Sequence, residues 1–317
     1  MRLRTIFSLL LLSLLVTGCS DVSHWAYQKG VEFEQRRAGL DEVRLTAGDI
    51  NWHVLDSGVQ DNQPTVLLIH GFGADSSNWV RFVQQLKGDY RFIVPDLPGH
   101  GQSTRTPDLN YQMALQAERL LALMDTLEIE QFHAVGSSMG GAITLALADR
   151  APERVLSMGL MNAAGLDRRT EEFDAVLDAA AGDNPLIPQT ADDFADTLAW
   201  AMHKPPYLPG FFIRVMGEAK AANAPTAYKI WADMQNDPYM HLDGSERLAN
   251  LNQPTLIMWG EHDRLLGVDN VAPFQQQLSN STSVVFDDLG HLPMAEDPKR
   301  SAAAFAYFWS DMVNNRQ

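Results

Sequence analysis

A serine, an acid and a histidine each follow an apolar run in the 317-residue sequence. Ser138 lies within Gly136-Ser137-Ser138-Met139-Gly140, directly after the run that ends at Val135. Between a buried strand and a helix, the pattern Gly-x-Ser-x-Gly is typical of a strained turn that exposes a nucleophilic hydroxyl. Residues beside such a turn must have almost no side chain. We therefore predict that Ser138, rather than Ser137, is a nucleophile; the alternative is a glycine-rich turn without chemistry.

A serine hydroxyl needs an imidazole to accept its proton and a carboxylate to fix the imidazole tautomer. Both should follow the carboxyl ends of later strands, where active sites of doubly wound sheets form. Asp263 follows the run that ends at Trp259, and His291 follows the run that ends at Phe286. The chain order Ser138, Asp263, His291 is one of the known orders of a catalytic triad. We predict that His291 is the general base and that Asp263 orients it.

Other acids and histidines are less well placed for these roles. Asn162 occupies the other position expected for an acid, after the run ending at Met161, and it has no carboxylate. Asp287 and Asp288 remain as minor alternatives to Asp263. A lone histidine is more often structural or exposed than catalytic. We interpret three further histidines in that sense: His262 beside the acid, His133 within a strand and His100 between two glycines.

Negative charge that develops on a carbonyl oxygen requires two preorganised donors. One is predicted to be the backbone N–H of Met139, the residue after the nucleophile. The segment His70-Gly71-Phe72-Gly73 follows another apolar run, and its glycines let the backbone turn an N–H toward the site. We predict the N–H of Phe72 as the second donor, although the same glycines could serve only a tight turn.

The elements that must position these residues alternate along the chain. A hairpin is predicted at Arg44–Thr46 and Ile50–Asp56, with its turn at Ala47-Gly48. The later apolar runs are typical of strands buried on both faces, and amphipathic helical patterns separate them. The sequence therefore predicts an α/β fold with a doubly wound, mostly parallel, eight-stranded sheet. The further strands are Thr65–Ile69, Arg91–Val94, Phe132–Val135, Val155–Met161, Thr255–Trp259 and Ser283–Phe286, and the helices are Asn78–Leu86, Tyr111–Leu127, Gly140–Asp149, Val271–Leu278 and Lys299–Val313.

Residues 165–248 break this alternation, because they contain helical patches rich in Trp, Phe and Met but no strand-like run. We predict an inserted helical cap between a first core part, residues 41–164, and a second core part, residues 249–317. The large apolar residues of the cap either line an acyl-chain pocket over Ser138 or pack the cap onto the core. They are Trp200, Met202, Phe211, Phe212, Met216, Trp231 and Met234.

Residues 1–18 are predicted to be a secretory signal peptide. A basic start precedes an apolar run from Ile6 to Val16, which is shorter than the about 20 residues of a membrane-spanning helix. The segment Val16-Thr17-Gly18-Cys19 resembles a bacterial lipobox, which implies acylation of Cys19; the alternative is a plain signal peptide. Ser20 is typical of outer-membrane sorting. We therefore expect a lipid-anchored protein of the bacterial cell envelope, facing the periplasm, with residues 19–40 as a tether and short helix.

Charge and composition argue against other classes of protein. The formal net charge is −16, and such a surface repels nucleic acid and anionic lipid headgroups. We expect no nucleic-acid partner and attachment to the membrane only through the anchor at Cys19. The sequence contains no His-Glu-x-x-His motif, no cysteine pair and no clustered histidines, so no metal is predicted.

Taken together, these motifs resemble the α/β-hydrolase superfamily over residues 45–313. Within it, the stretch from His70 to Trp79 and the surroundings of Ser138 are similar to the bacterial esterase and lipase branch akin to monoacylglycerol lipases. The resemblance implies a Ser-His-Asp triad, no cofactor and an acyl-enzyme on Ser138. We therefore expect hydrolysis of a small-molecule carboxylic ester, lipid-like as an acylglycerol is. Two alternatives stay open: a carbon–carbon bond hydrolase of ring-fission products, and a non-catalytic ligand-binding lipoprotein. The motifs are His70-Gly71-Phe72-Gly73, Asp96 to Ser103, Gly136 to Gly141, Trp259 to Asp263 and Gly290-His291.

Overall fold

The computed structural model describes residues 22–59, 63–179 and 184–314, and the predicted signal peptide and Cys19 lie outside them. Its strands are β1 (Asp41–Ala47), β2 (Ile50–Asp56), β3 (Thr65–Ile69), β4 (Arg91–Pro95), β5 (Phe132–Ser137), β6 (Val155–Met161), β7 (Thr255–Gly260) and β8 (Ser281–Phe286). They form one sheet in the order β1-β2-β4-β3-β5-β6-β7-β8. Only the pairs β1–β2 and β2–β4 are antiparallel in this described part of the chain. The predicted doubly wound, mostly parallel, eight-stranded sheet is therefore confirmed.

The apolar runs of the central strands are continuous because each face of the sheet has its own hydrophobic core. In β3, Leu67 and Ile69 pack into one core while Val66 and Leu68 pack into the other. Successive side chains of a strand point to opposite faces, so a strand covered on both faces needs apolar residues at every position. Helices α3 (Met113–Thr126), α4 (Met139–Arg150) and α10 (Val271–Gln277) cover the first face, and α2 (Val80–Leu86), α11 (Pro293–Glu296) and α12 (Pro298–Asn314) cover the second.

In the described chain between β6 and β7, helices joined by loops are the regular elements, and isolated bridges join Gly165 and Leu166 to His241. We call this stretch the insert. The insert is hydrogen-bonded to the core; for example, the Asn223 amide donates to the carbonyl of Gly99 at 2.9 Å. The predicted division into core parts and cap stays a prediction. The helices of the insert are α5 (Glu171–Ala179), α6 (Phe194–Ala201), α7 (Gly210–Ala222), α8 (Ala224–Gln235) and α9 (Glu246–Ala249).

A helix over residues 22–38, α1, precedes the sheet. It packs on α7, since the rings of Tyr27 and Phe212 lie 5.1 Å apart and a Cβ on Gly30 would lie 2.5 Å from the Phe212 ring. The predicted tether is thus largely a helix that contacts the insert. None of the described helices is long and apolar enough to cross a membrane.

Candidate active site

Ser138 lies at the sharp turn between β5 and α4. Its φ of 55° and ψ of −123° are unusual for a residue with a side chain, and such a backbone costs about 1–3 kcal/mol. A Cβ on Gly136 would lie 2.0 Å from the carbonyl oxygen of Gly140, and one on Gly140 would lie 2.3 Å from that of Ile69. Both glycines of the motif are therefore required by the close approach of backbone to backbone, as the sequence predicted.

Asp263 and His291 are brought together from the loops that follow β7 and β8. The Asp263 Oδ2 atom lies 2.7 Å from His291 Nδ1, and both residues are at least 95% buried. A carboxylate at Nδ1 leaves Nε2 as the nitrogen free to exchange a proton with a substrate or a hydroxyl. His291 lines the same cavity as Ser138. The predicted carboxylate and imidazole thus have the geometry of a base and its orienting acid, beside the predicted nucleophile.

Asn162 is a further residue of this site. It follows β6 and is fully buried, and its amide Nδ2 donates to Asp263 Oδ2 at 2.6 Å. Its Oδ1 accepts from the backbone N–H of Gly260 at 3.3 Å. The other carboxylate oxygen of Asp263 accepts from the N–H groups of Leu265 at 2.8 Å and Leu266 at 3.0 Å. These donors hold Asp263 in one orientation, and the sequence had offered Asn162 only as a position that lacks an acid.

Glu296 fixes the backbone of the histidine loop and joins it to the insert. Its carboxylate accepts from the N–H groups of Gly290 at 3.0 Å and Leu292 at 3.2 Å, the two neighbours of His291. It also accepts from the N–H of Lys204, in the insert, at 2.7 Å. The sequence contained no signal for this role beyond an acid five residues after the histidine.

The loop after β3 lies against the nucleophile. A Cβ on Gly71 would lie 3.0 Å from that of Ser138, so a larger residue here would crowd the nucleophile. His70 is fully buried behind the loop: its Nδ1 lies 2.8 Å from the carbonyl oxygen of Gly71, and its Nε2 accepts from Leu97 N–H at 2.9 Å. Burial lowers the pKa of His70, which keeps the ring neutral. The ring of Phe72 packs 5.6 Å from that of Trp231. These contacts hold the backbone that carries the predicted donor Phe72 N–H, while Met139 begins α4 directly after Ser138.

The alternative histidines and acids lie in other environments. His100 is buried in the cavity wall, and burial holds its pKa well below the usual value. His133 lies in β5 with its Nδ1 2.7 Å from Ser157 Oγ, and the exposed ring of His262 stacks on His203 at 4.0 Å. Asp288 pairs with Lys204 and Arg300 near the surface. His262, Asp287 and Asp288 are at least partly exposed to solvent, unlike Asp263.

An apolar cavity of about 330 Å³ opens beside Ser138 and His291. Helix α1 and the insert form much of its wall, including the predicted cap residues Met202, Phe212 and Met216. Trp231 and Met234 line a smaller neighbouring cavity. Trp200 and Phe211 line neither of these two cavities; Trp200 lies under the guanidinium of Arg264, and Phe211 is 40% exposed. Five of the seven predicted cap residues therefore line one of these cavities, and the binding of an acyl chain by them stays a prediction.

One ion pair links the loop after β3 to the insert at the cavity wall. Lys220 Nζ of α7 lies 2.7 Å from Asp75 Oδ2. Burial raises the pKa of Asp75, but the Lys220 ammonium and the hydrogen bond from Ser77 outweigh this and hold the pKa well below its usual value. Asp75 is therefore ionised at neutral pH. Within residues 22–59, 63–179 and 184–314, no group of three His, Cys, Asp or Glu side chains could hold a metal ion.

The sequence matches the family of the alpha/beta hydrolase fold over residues 64–298. Lipase 1 of Psychrobacter immobilis is 29% identical over 96% of this chain and 97% of its own length. Monoacylglycerol lipase ABHD6 of Mus musculus is 25% identical over 81% of this chain and 79% of its own length. The crystal structure of a membrane phospholipase A, a bacterial virulence factor, superimposes with a TM-score of 0.88 and 32% identity, covering 98% of this chain and 99% of that one.

A sharp Gly-x-Ser-x-Gly turn on a doubly wound sheet, with a buried Asp–His pair beside it, defines the class of this protein, and the family match agrees with it. The chain belongs to the α/β-hydrolase family. The predicted class of enzyme, a carboxylic ester hydrolase, is confirmed by its lipase relatives.

Proposed function

We propose that the enzyme hydrolyses lipid-like esters such as acylglycerols through an acyl-enzyme on Ser138. The observation that carries the proposal is the hydrogen bond between Asp263 and His291 at the wall of an apolar cavity that Ser138 also lines. A poor nucleophile, a base and an orienting acid are the parts that acyl transfer needs.

Acylation begins when the Ser138 oxygen attacks the ester carbonyl carbon and His291 Nε2 takes the hydroxyl proton. Asp263 stabilises the resulting imidazolium and keeps its ring in place. The backbone N–H groups of Phe72 and Met139 stabilise the oxyanion of the tetrahedral intermediate. The bond between the acyl carbon and the alcohol oxygen then breaks, and His291 gives its proton to that oxygen.

Deacylation repeats these steps with water as the nucleophile. His291 takes a proton from water, the hydroxide adds to the acyl carbon, and the bond to Ser138 breaks with return of the proton to the serine oxygen. The products are a carboxylic acid and an alcohol. The balance is one ester and one water consumed for one acid and one alcohol formed, and Ser138 and His291 return to their starting states.

The cavity and the relatives support the proposed substrate class. The cavity wall is mostly apolar, which favours an ester with hydrocarbon arms over a sugar or a peptide. The relatives include two bacterial lipases and monoacylglycerol lipases of several vertebrates. Both facts support an acylglycerol or a similar lipid ester.

Replacing the nucleophile tests the mechanism, and the neighbouring serine supplies a matched control. Ser138→Ala should abolish release of acid from tributyrin and labelling by a fluorophosphonate probe. Ser137→Ala removes a fully buried hydroxyl that has no hydrogen-bond partner in the described structure, so it should keep both activities. Full activity of pure Ser138→Ala enzyme would refute the mechanism. A wild-type enzyme that resists the probe would instead favour the non-catalytic ligand-binding alternative.

We also propose that Cys19 carries the lipid anchor and that the enzyme acts at the periplasmic face of the outer membrane. The support is the lipobox-like segment that ends at Cys19. Each buried methylene of an acyl chain contributes about 0.8 kcal/mol, so several chains hold a protein stably on a bilayer. Growth with radiolabelled palmitate should label the wild-type protein in outer-membrane fractions. Cys19→Ser should remove the label, and an unlabelled wild-type protein would contradict the proposal.

A further inference from the structure

Two cavities meet at the nucleophile. The larger, of about 330 Å³, lies between the core, α1 and α7, and the smaller, of about 70 Å³, lies between the end of β6 and α8. Ser138, Phe72, Leu186 and Leu265 line both. An ester whose carbonyl carbon lies at Ser138 therefore has one arm available to each cavity.

His291 belongs to the larger cavity and is not among the described residues that line the smaller one. During acylation this histidine must give its proton to the alcohol oxygen. The alcohol arm must therefore leave on the His291 side of the tetrahedral carbon, while the acyl arm extends away from it. The need for a general acid therefore fixes the orientation of a bound ester, with its alcohol oxygen toward His291.

We infer that the larger cavity binds the alcohol arm of the substrate and that the smaller cavity binds the acyl arm. This assignment rests on the proposed function. It implies an enzyme that removes a short acyl group from an alcohol with a long hydrocarbon part, such as a glyceride whose other chain stays on the leaving alcohol.

The two volumes set the capacity of each side. A cavity of about 150 Å³ is large enough to hold benzene. The smaller cavity has less than half of that volume, which corresponds to about three carbons beyond the carbonyl. The larger cavity has about twice that volume, which corresponds to roughly a dozen carbons.

The wall of the smaller cavity also opposes a longer acyl chain. Part of the wall is apolar and includes Ala164, whose N–H donates to the Ser138 carbonyl at 2.9 Å, together with Trp231 and Met234. The same cavity is also lined by Asp167 and Arg168, which are charged and exposed to solvent. A longer chain that covered Asp167 and Arg168 would desolvate these charged groups, which is unfavourable.

A pair of isomeric esters tests the assignment with wild-type enzyme. Dodecyl butanoate and butyl dodecanoate have the same formula and nearly the same hydrophobicity, but their long and short arms are exchanged. Since a single surplus methylene changes discrimination roughly 10- to 200-fold, we expect kcat/KM for dodecyl butanoate to exceed that for butyl dodecanoate at least about 100-fold. Equal values, or a preference for butyl dodecanoate, would overturn the assignment.

Two methionines allow the same substitution in each cavity. Met234 lines the smaller cavity and Met216 lines the larger one. Met234→Ala should raise kcat/KM for butyl dodecanoate at least about tenfold, because the added room accepts further carbons. Met216→Ala should leave butyl dodecanoate slow. If Met216→Ala rather than Met234→Ala accelerates butyl dodecanoate, the two arms are assigned the wrong way round.

Thermal unfolding and the rate of fluorophosphonate labelling show whether both methionine variants fold. The comparison of the two esters with wild-type enzyme does not depend on these variants. Failure of the proposed function looks different from failure of this assignment. If wild-type enzyme cleaves neither ester and resists the probe, the proposed function fails. If it reacts with the probe and cleaves butyl dodecanoate faster, only the assignment of arms fails.

Discussion

Asn162 donates its side-chain amide to the carboxylate of Asp263 at 2.6 Å, from the end of the neighbouring strand. The same carboxylate oxygen meets His291 at 2.7 Å, so the amide and the imidazole share one acceptor atom. Parallel pairing of Met161 with Met258 brings the ends of β6 and β7 side by side. Asn162 is therefore a positioning residue for the predicted acid.

Removal of this amide should slow the enzyme without weakening substrate binding. A hydrogen bond to a charged group contributes about 1.5–3 kcal/mol, so Asn162→Ala should lower kcat roughly 10- to 100-fold while KM changes little. Steady-state kinetics on tributyrin would measure this. Ser157→Ala is the control, since it removes a buried side chain of β6 that hydrogen-bonds to His133 and Trp309 instead of the acid, and should lower stability alone. Equal kcat values for Asn162→Ala and Ser157→Ala would contradict the positioning role.

Exchange of the acid for an amide distinguishes Asp263 from its rivals. Asp263→Asn should keep the fold but favour the wrong tautomer of His291, with a fall in kcat of about 10⁴-fold. Asp288→Asn should leave kcat near the wild-type value, because Asp288 pairs with Lys204 and Arg300 near the surface. Parallel kinetic measurements of the two variants suffice. A large loss of kcat in Asp288→Asn, with kcat retained in Asp263→Asn, would identify Asp288 as the acid that orients His291.

The tight turn at the nucleophile makes a prediction about stability. Gly136→Ala would place a methyl group 2.0 Å from the Gly140 carbonyl oxygen, where both partners are rigid backbone. Overpacking of this kind typically costs about 1–3 kcal/mol, and because both partners are rigid we expect the free energy of unfolding to fall by about 3 kcal/mol in denaturant titrations. Gly210→Ala meets nothing within 4 Å at the start of α7 and should be neutral or slightly stabilising. Similar unfolding curves for both variants would show that the turn can relax.

The sequence predicted the strands well because buried parallel strands have continuous apolar runs. Thr65–Ile69 and Val155–Met161 have the predicted limits, and Ser283–Phe286 begins two residues earlier in β8. The predicted helix Asn78–Leu86 is instead a 3₁₀ turn at Ser76–Trp79 followed by α2, because the Asp75 side chain accepts from the N–H of Ser77 and starts the turn early. Local hydrogen bonds of this kind do not change apolar periodicity, so periodicity alone places such boundaries poorly.

The parts of the site that a local motif determines could be predicted from the sequence. The parts that depend on which strands and helices are neighbours could not. The glycines around Ser138 and the order of Asp263 and His291 could be interpreted directly from the chain. The contact of Asn162 with Asp263 depends on which strands are neighbours, and the two unequal cavities depend on how α1 and the insert pack. One sequence contains no direct record of either arrangement.

The ion pair between Asp75 and Lys220 predicts a pH dependence of stability. The pKa of Asp75 is held well below its usual value, so its contribution to the free energy of unfolding is fully present above the unfolded pKa of about 3.9. The contribution is lost as the pH falls through the lower pKa of the folded state. The difference in stability between wild type and Asp75→Asn should therefore be constant from neutral pH to about pH 5 and shrink under more acidic conditions.

A double-mutant cycle separates this pair from its surroundings. Asp75→Asn leaves the Lys220 ammonium partly buried without its partner, whereas Asp75→Asn combined with Lys220→Met removes both charges. The double variant should consequently be more stable than the sum of the two single losses predicts, by about 0.5–3 kcal/mol at neutral pH. Arg214 and Glu218 form an exposed pair on the same helix, and the corresponding cycle there should give a coupling of at most about 0.5 kcal/mol. Equal coupling in the two cycles would mean that Asp75 does not hold α7 on the core.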